Sequence, residues 1–255
     1  MSSSTRAEVA ADTRAEVAAD GRRGVFITLE GVEGAGKTTQ ARRLVAVLEA
    51  RGFPVLYSRE PGGTAIGERI RELLLDDRHG EMVPEAEMLL FAASRAQFVR
   101  EVVLPALAAG RVVVSERYVE ASLAYQGYGR GLDVGVVRAV NAVATAGCVP
   151  DLTLLLDLPP EVGLTRARHA PGKAGPPGRG DRLEQETEAF HRRVREGFLA
   201  LAAESPQHIV VVDASRSADE VHAAILAAVD RLLAARYLRP PEPRREAGPP
   251  EPRGG

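Results

Sequence analysis

The sequence predicts a layered α/β domain with a five-stranded parallel sheet. Three observations lead to this fold class. Short β-rich runs alternate along the chain with longer helical patterns, as they do in α/β domains. Most of these runs are continuously apolar, which is typical of a parallel sheet covered by helices on both faces. The chain has 255 residues, of which 45% are hydrophobic, so it is long enough to bury a sizeable core.

The strands and helices are expected to follow one another in a regular order. Runs such as VFITLE and HIVVVD are rich in β-branched and apolar residues, as strands are, and the segments between them are longer with helical patterns. In chain order the elements are strand Val25–Glu30, helix Lys37–Arg51, strand Val55–Arg59, helices Ile66–Leu75 and Pro84–Ala109, strand Arg111–Ser115, helix Val134–Ala146, strand Leu152–Leu158, helices Pro160–Arg168 and Arg182–Ala203, strand His208–Asp213 and helix Ala218–Arg236.

Both ends of the chain are expected to lie outside the folded domain, which we place at residues 23–237. Residues 1–22 contain the octapeptide TRAEVAAD twice in tandem, and two copies are too few for a repeat fold, so we expect a flexible extension. Residues 238–255 are rich in Pro, Gly, Arg and Glu. Such a segment buries too little apolar surface to offset its ordering entropy, and we expect a disordered tail.

The composition excludes several classes of function. The formal net charge is −2, which disfavours a protein that coats nucleic acid. No run of apolar residues approaches the length of a membrane span. The single cysteine, Cys148, excludes an intrachain disulfide framework. We therefore expect a cytoplasmic protein without nucleic-acid or membrane partners.

A glycine-rich segment directly after the first predicted strand carries the strongest functional signal. Gly31 to Thr38 reads GVEGAGKT, which satisfies G-x-x-x-x-G-K-[ST] between a strand and a helix, as a phosphate-binding loop requires. Its backbone N–H groups and the helix N-terminus favour an anion. Lys37 is one of only two lysines among 33 basic residues. The predicted ATP-binding residues are Gly31, Val32, Glu33, Gly34, Ala35, Gly36, Lys37, Thr38 and Thr39, with Lys37 on the β/γ-phosphates and Thr38 on Mg²⁺.

A phosphate-binding loop alone leaves a GTPase, a motor ATPase and a small-molecule kinase open. A switch GTPase is disfavoured because the chain has no N-K-x-D motif, its only lysines being Lys37 and Lys173. The D-x-x-G match at residues 77–80 follows a helical segment instead of a strand. A kinase needs a pocket for the acceptor and cations that neutralise charge during transfer, and the sequence offers candidates for both.

Six sequence blocks specify the kind of kinase. They are FITLEGVEGAGKTTQ, SREPGGT, LLFAASRAQ, SERYVEASLAYQGYGRGL, PDLTLLLDLPPEVGLTRAR and DRLEQE. In order and spacing these blocks resemble the thymidylate (dTMP) kinase family of bacteria. The resemblance implies a three-layer P-loop NTPase-type fold, transfer of the γ-phosphoryl group from MgATP to dTMP to give dTDP and ADP in dTTP synthesis, and a homodimer to which the helix Pro84–Ala109 contributes.

The resemblance also implies a role for particular residues. It places Arg59 near the phosphate of the acceptor, Phe91 in a stack on thymine and Arg95 in a hydrogen bond with the base. Phe91 and Arg95 are four residues apart and so share a helix face. Arg117 would hold the acceptor phosphate and act in catalysis together with Lys37. The remaining implied residues are Ser122, Tyr125 and Gln126 in the thymidine pocket, Glu33 near the acceptor sugar, and Glu116 with Thr38 at Mg²⁺.

The segment of about residues 166–182 resembles the basic lid of the family. Its cations, with Arg168 as the expected catalytic one, would neutralise charge on the transferring group.

The chain departs from the family at Glu116 and Glu120, where Asp is usual, and at Ala121, where Ser is usual. Glu116 is one methylene longer than Asp at a magnesium position, and small misplacements cost rate. Two alternatives therefore stay open: a nucleotide-binding regulatory protein with weakened catalysis, and a kinase for another pyrimidine monophosphate.

Overall fold

Five parallel strands form a single sheet in the computed structural model, which describes residues 23–168 and 180–237. The strands are β1 (Val25–Glu30), β2 (Val55–Arg59), β3 (Val112–Glu116), β4 (Leu152–Asp157) and β5 (Ile209–Asp213). Their order across the sheet is β2-β3-β1-β4-β5. Every pairing is parallel, so the predicted sheet is confirmed. The predicted extension 1–22, the predicted tail 238–255 and residues 169–179 of the predicted lid lie outside the described residues.

Helices connect the strands as the alternation in the sequence predicts. They are α1 (Lys37–Ala50), α2 (Ala65–Leu75), α3 (Pro84–Phe98), α4 (Leu104–Ala108), α5 (Val119–Ser122), α6 (Val134–Thr145), α7 (Pro160–Arg168), α8 (Glu188–Glu204) and α9 (Ala218–Tyr237). Two π-helical stretches complete them. Val99–Val103 joins α3 to α4, and Leu123–Gly129 continues α5. Among the described residues, no helix is both long and apolar enough to cross a membrane.

The central strand β1 separates two layers of the core. Alternate residues of a strand point to opposite faces of the sheet. Accordingly, Ile27 belongs to the cluster that contains Leu44 of α1, Phe198 of α8 and Ile225 of α9. Phe26 belongs to a second cluster with residues of α3 and α4. Helices therefore cover both faces of the sheet, as the continuous apolar runs of its strands predict.

Two helical predictions needed correction, and one helical stretch was missed. The predicted helix Pro84–Ala109 is interrupted by the π turn that precedes Pro105, a residue with no N–H for a helical hydrogen bond. The predicted helix Arg182–Ala203 begins only at Glu188, where the Thr187 hydroxyl accepts from the Phe190 N–H. The helical stretch from Val119 to Gly129 was not predicted.

The carboxyl ends of the strands converge at one edge of the sheet. The strand register places Leu29 of β1 and Arg59 of β2 on either side of Glu116, the last residue of β3. The segments that follow β1, β2 and β3 are therefore neighbours. Ligands of open α/β sheets gather at this edge, and the predicted site residues from these segments meet here.

Candidate active site

The glycine-rich loop between β1 and α1 is held close to its neighbours by two glycines. Gly31 and Gly34 have positive φ angles of 135° and 68°. A Cβ atom at Gly34 would lie 2.0 Å from the carbonyl oxygen of Gly163 on α7, and one at Gly31 would lie 2.4 Å from that of Leu156 on β4. Any side chain at either position would displace the loop from α7 and β4. Glycine is thus required by both conformation and space.

Lys37 opens α1 and folds back over the loop. Its Nζ donates to the carbonyl oxygens of Gly31 at 2.9 Å and Val32 at 2.7 Å. Burial, together with the charge of Arg117, lowers the pKa of Lys37 to about 7. The ammonium group thus lies inside the loop at the start of a helix, where an anion is favoured.

Thr38 and Glu116 place oxygen ligands beside this loop. The Thr38 hydroxyl donates to Glu116 Oε2 at 2.7 Å. The other carboxylate oxygen, Oε1, accepts from the Tyr57 hydroxyl, and burial and the Glu116 contact raise the pKa of Tyr57 to about 12. A hydroxyl and a carboxylate are the oxygen donors that Mg²⁺ prefers, so this pair fits a magnesium ion. The longer Glu116 side chain still reaches Thr38.

Glu33, Arg117 and Tyr125 form a charged cluster at the centre of the site. Arg117 Nη2 donates to Glu33 Oε1 at 2.9 Å and Nη1 donates to the Gly31 carbonyl at 3.2 Å. The Tyr125 hydroxyl donates to the same Glu33 oxygen at 2.6 Å. The Arg117 guanidinium carbon also lies 5.0 Å from the centre of the Tyr125 ring, within cation–π range. The glycine-rich loop is thereby tied to the segment that follows β3.

The contacts of Glu33 keep it ionised. Burial alone raises the pKa of Glu33, but His191, Arg117 and Lys37 outweigh burial and hold the pKa well below its usual range. Its partner Arg117 has a raised pKa because Tyr125 and Glu33 more than offset burial. Both groups therefore remain charged, and the guanidinium is fixed at the mouth of the glycine-rich loop.

One open cavity connects these groups to an aromatic pocket, and about 240 Å³ of it can hold the centres of water-sized molecules. Its wall includes Lys37 and Thr38 of the glycine-rich loop, Arg117 after β3, and the aromatic residues Phe91 and Tyr125. The other residues of its wall are Glu33, Gly34, Glu60, Pro61, Arg71, Leu75, Ala121, Ser122, Gln126, Asp181, Leu183 and Glu184. The glycine-rich loop and the predicted acceptor pocket therefore share one space, which allows two bound molecules to meet.

Phe91 lies in the cavity wall, whereas Arg95 lies behind it. Phe91 of α3 is 9% exposed and packs with Leu74 and Leu183. Arg95 is 1% exposed and does not line the cavity. Its guanidinium donates to the Ser122 hydroxyl at 2.8 Å, to Asn141 Oδ1 and to the Tyr118 carbonyl at 2.7 Å, and its Nε pairs with Glu60 at 2.7 Å. Its predicted hydrogen bond to a base stays a prediction.

Comparison with known proteins identifies the family. The family model described as thymidylate kinase matches residues 29–225. The chain belongs to the thymidylate kinase family. It is 52% identical to a thymidylate kinase of Pelotomaculum thermopropionicum, over 83% of this chain and 95% of the relative. It is 54% identical to a thymidylate kinase of Deinococcus radiodurans, over 81% of this chain and 97% of the relative.

A solved structure is similar to the fold of this family member. The crystal structure of thymidylate kinase from Ehrlichia chaffeensis matches it with a TM-score of 0.64 at 28% identity. The match covers 81% of this chain and 99% of that chain. Both the predicted family and the predicted P-loop α/β fold are therefore confirmed.

The structure brings two further side chains to the site of this kinase that the sequence did not single out. Arg71 of α2 lines the cavity and donates to the Pro61 carbonyl at 3.0 Å. Burial, reinforced by Arg59, lowers the pKa of Arg71. His191 of α8 is fully buried, with Nδ1 3.6 Å from Glu33 Oε2. A basic residue amid the apolar residues of a helix is a weak signal, and the direction of each side chain depends on helix packing.

The other predicted residues of the kinase occupy different parts of the same region. Gln126 is buried and donates to Glu87 Oε1 at 2.8 Å, while Ser122 is buried in the wall of the cavity. Thr39 is exposed on the first turn of α1. Arg59 is half-exposed and lines a neighbouring cavity with Arg42, Tyr57 and Glu116. Arg59 therefore lies beside the proposed metal ligands and outside the wall of the main cavity.

The two ends of the predicted lid are attached to the body of the kinase. Arg166 of α7 donates to the Ala214 carbonyl at 3.1 Å. Arg182 donates through Nε to the Leu74 carbonyl at 3.0 Å, and its Nη2 lies 2.6 Å from the buried Glu87 carboxylate. The side chain of Arg168 and the cations Lys173 and Arg179 lie outside the described part of the chain.

Proposed function

We propose that this chain transfers the γ-phosphoryl group of ATP to dTMP and gives dTDP and ADP. The observation that carries the proposal is the single cavity that joins Lys37 and Thr38 to the pocket of Phe91 and Tyr125. Thymidylate kinases at above 50% identity support the same reaction. No particular feature of the described residues favours a regulatory protein without catalysis.

The reaction needs position and charge more than covalent chemistry by the protein. The bond between the γ-phosphorus and the β,γ-bridging oxygen breaks, and a bond to an oxygen of the dTMP phosphate forms. The glycine-rich loop and Lys37 hold the β- and γ-phosphates of ATP, and Arg117 holds the acceptor phosphate in line with them. The Glu33 carboxylate and the Tyr125 hydroxyl fix the Arg117 guanidinium, so no reorganisation is needed as charge develops.

The acceptor specificity is assigned to the far end of the cavity. Phe91 offers a face for stacking with a base, and Ser122 and Gln126 offer polar groups near it. The Tyr125 ring lines the same cavity, and its centre lies 5.0 Å from the guanidinium carbon of Arg117. There it would fill the space of a 2′-hydroxyl group and thereby favour a deoxyribonucleotide.

Thr38 and Glu116 would hold the magnesium ion that accompanies ATP. When bound there, the ion neutralises charge on the β- and γ-phosphates. The chain's own contribution is the position of the two ligands, since Thr38 Oγ1 lies 2.7 Å from Glu116 Oε2 and the Tyr57 hydroxyl binds the other carboxylate oxygen.

A cation of the predicted lid is the proposed source of positive charge beside the γ-phosphoryl group as it is transferred. The family resemblance implies a lid arginine where the glycine-rich loop has none, and GVEGAGKT has none, so Arg168 at the end of α7 is the proposed source. We expect Arg168→Ala to lower kcat and kcat/KM together with little change in the Kd of ATP. Single-turnover rates beside ATP titrations measure both, and a Kd that rises as steeply as kcat falls would assign Arg168 to binding instead.

A second copy of the chain is the proposed partner, besides the two nucleotides. Helices α2, α3 and α6 pack side by side and leave large apolar residues exposed, with Leu89 at 55% and Val143 at 78%. Such a surface is typical of a protein interface. Light scattering should give a dimer mass for the wild type and a monomer mass for Val143→Arg, and a wild-type monomer would refute the assignment. Since ATP is a cytoplasmic metabolite, the cytoplasm is the proposed location.

The function is tested by the release of ADP with dTMP, dUMP, dCMP, dAMP and dGMP as acceptors. We expect turnover with dTMP to exceed that with every other acceptor. Tyr125→Ala should raise turnover of the ribonucleotide TMP relative to dTMP. A preference for dUMP would identify a kinase for another pyrimidine monophosphate. ATP binding without turnover of any acceptor would identify a regulatory protein.

A further inference from the structure

The backbone of Arg117 has an uncommon conformation. Its φ angle is 69°, and among the described non-glycine residues only Ala146 shares a positive φ. The left-handed region costs an L-residue about 1–2 kcal/mol. Such a conformation persists only where the surrounding structure imposes it, and it is frequent at functional sites. The conformation of Arg117 therefore needs a cause in its neighbours.

Three hydrogen bonds hold the peptide groups on either side of Arg117. Its N–H donates to the Leu29 carbonyl at 2.9 Å, and its carbonyl accepts from the Ser115 hydroxyl at 3.1 Å. The next N–H, that of Tyr118, donates to Glu30 Oε1 at 2.6 Å. The first bond continues the pairing of β3 with β1. The second and third, one from the Ser115 hydroxyl and one to the Glu30 carboxyl, hold the two sides of the peptide group between Arg117 and Tyr118, where the chain leaves the strand direction.

Glu30 is a costly residue at its position. It is fully buried at the end of β1, and burial together with Glu120 raises the pKa of Glu30 to about 8. Within residues 23–168 and 180–237, no basic side chain forms an ion pair with it, and its Oε2 has no hydrogen-bond partner. An apolar side chain would fill this space without the desolvation cost of a carboxyl group. The bond to Tyr118 N–H is the contact that a carboxyl group supplies and an apolar group does not.

We propose that Glu30 is a positioning residue for Arg117. Through the Tyr118 N–H it keeps Arg117 in the left-handed conformation, from which the guanidinium reaches Gly31, Glu33 and Tyr125 in the cavity. Without that bond the peptide relaxes to a negative φ and the guanidinium leaves the acceptor phosphate. The inference rests on the proposed function only in assigning Arg117 to that phosphate.

Three substitutions of Glu30 separate its hydrogen bond from its charge and volume. Glu30→Gln keeps an acceptor oxygen in the same place, and we expect kcat/KM for dTMP within about threefold of the wild type. Glu30→Met keeps the volume without the acceptor, and Glu30→Asp withdraws the carboxyl from Tyr118. For both we expect a loss of about 10- to 100-fold, as for a catalytic group misplaced by about 1 Å, with the Kd of ATP nearly unchanged.

A double-mutant cycle distinguishes positioning from a general structural role. If Glu30 acts through Arg117, then Glu30→Met should cost less than about twofold once Arg117 is already alanine. Equal losses in the two backgrounds would overturn the proposal, as would a Glu30→Gln enzyme as impaired as Glu30→Met. Glu30→Asp serves the same cycle where Glu30→Met fails to fold.

Crystal structures test the inference independently of the reaction. We expect Arg117 to keep a φ near +70° in the wild type and in Glu30→Gln, and to adopt a negative φ in Glu30→Asp or Glu30→Met. A positive φ in every variant would overturn the proposal. A wild-type enzyme that does not phosphorylate dTMP would refute the proposed function, while the change in φ would still decide the role of Glu30.

Discussion

Lys37 and Phe91 are the residues that mark the two ends of the cavity. Lys37 is buried against carbonyl oxygens of the glycine-rich loop, whereas Phe91 packs on Leu183 near the base of the lid. The proposed function assigns phosphate to the first of these residues and the base of the acceptor to the second. Substitutions at the two ends should therefore affect different kinetic constants.

Lys37→Ala should greatly lower turnover without unfolding the protein. Removal of the main cation from the transferring phosphate should lower kcat by about 100-fold or more. The fold should persist because a buried ammonium group with a lowered pKa contributes little to stability. Steady-state assays beside thermal unfolding measure both effects. A wild-type kcat would refute the assignment of the loop, and Lys37→Arg tests whether charge alone is sufficient.

Phe91→Ala should raise the KM for dTMP far more than the KM for ATP. Base stacking on an aromatic side chain contributes about 1–3 kcal/mol, and Phe91 lies in the wall of the acceptor end only. Phe98 on the same helix is a matched control, because it is fully buried in the core cluster that contains Phe26 and does not line the cavity. Phe98→Ala should lower Tm and leave the ratio of the two KM values unchanged. Equal changes in both KM values for Phe91→Ala would mean that Phe91 serves the core.

Glu87 of α3 binds polar side chains from two other segments of the chain, one of which is the end of the predicted lid. This buried carboxylate accepts from Arg130 and Gln126 and pairs with Arg182. These contacts, with burial opposing them, lower the pKa of Glu87. Leu183, which follows Arg182 in the chain, packs on Leu74 and Phe91. The end of the predicted lid is therefore joined directly to the cavity wall at Phe91.

Arg182→Met should impair both stability and acceptor binding. The change keeps the volume, but it leaves the Leu74 carbonyl without its donor and removes one cation from Glu87, at a cost of about 1–3 kcal/mol. The KM for dTMP should rise because Leu183 loses its anchor beside Phe91. Arg192→Met on the exposed face of α8 is a control and should change neither quantity. A normal KM for dTMP in a destabilised Arg182→Met protein would separate the anchor from the pocket.

The elements that local sequence determines were predicted well. Continuous apolar runs predict the buried strands, and β1 and β2 begin and end where predicted. The glycine-rich loop could be identified because its spacing carries a mechanism. The sequence could not predict that the Arg95 side chain contacts Glu60, Asn141 and Tyr118, because these partners come from distant parts of the chain. For the same reason Arg71 was missed, although its helix was predicted within one residue.

At the scale of the whole molecule, buried carboxyl groups at the site lower the free energy of unfolding, and the packing of the core must offset this loss. Glu30 and Glu60 are fully buried carboxyl groups, and burial is the largest cause of their raised pKa values, about 8 and about 7. Both lie at strand ends beside Arg117 or the cavity wall. Their ordinary pKa in the unfolded chain is 4.5. Between pH 4.5 and about 7 to 8 these two carboxyl groups therefore bind more protons in the folded protein than in the unfolded chain.

The sign of this difference sets the pH dependence of stability. Where the folded state binds more protons, the free energy of unfolding falls as pH rises. Glu30→Gln removes the contribution of Glu30 to that fall, since the amide does not ionise. Between pH 5 and pH 8.5 we expect the wild type to lose at least ~1 kcal/mol more than Glu30→Gln, as measured by urea unfolding. Glu49→Gln, at an exposed site on α1, should follow the wild type. Parallel pH profiles for the wild type and Glu30→Gln would mean that Glu30 titrates alike in both states, and the cost assigned to its burial would be wrong.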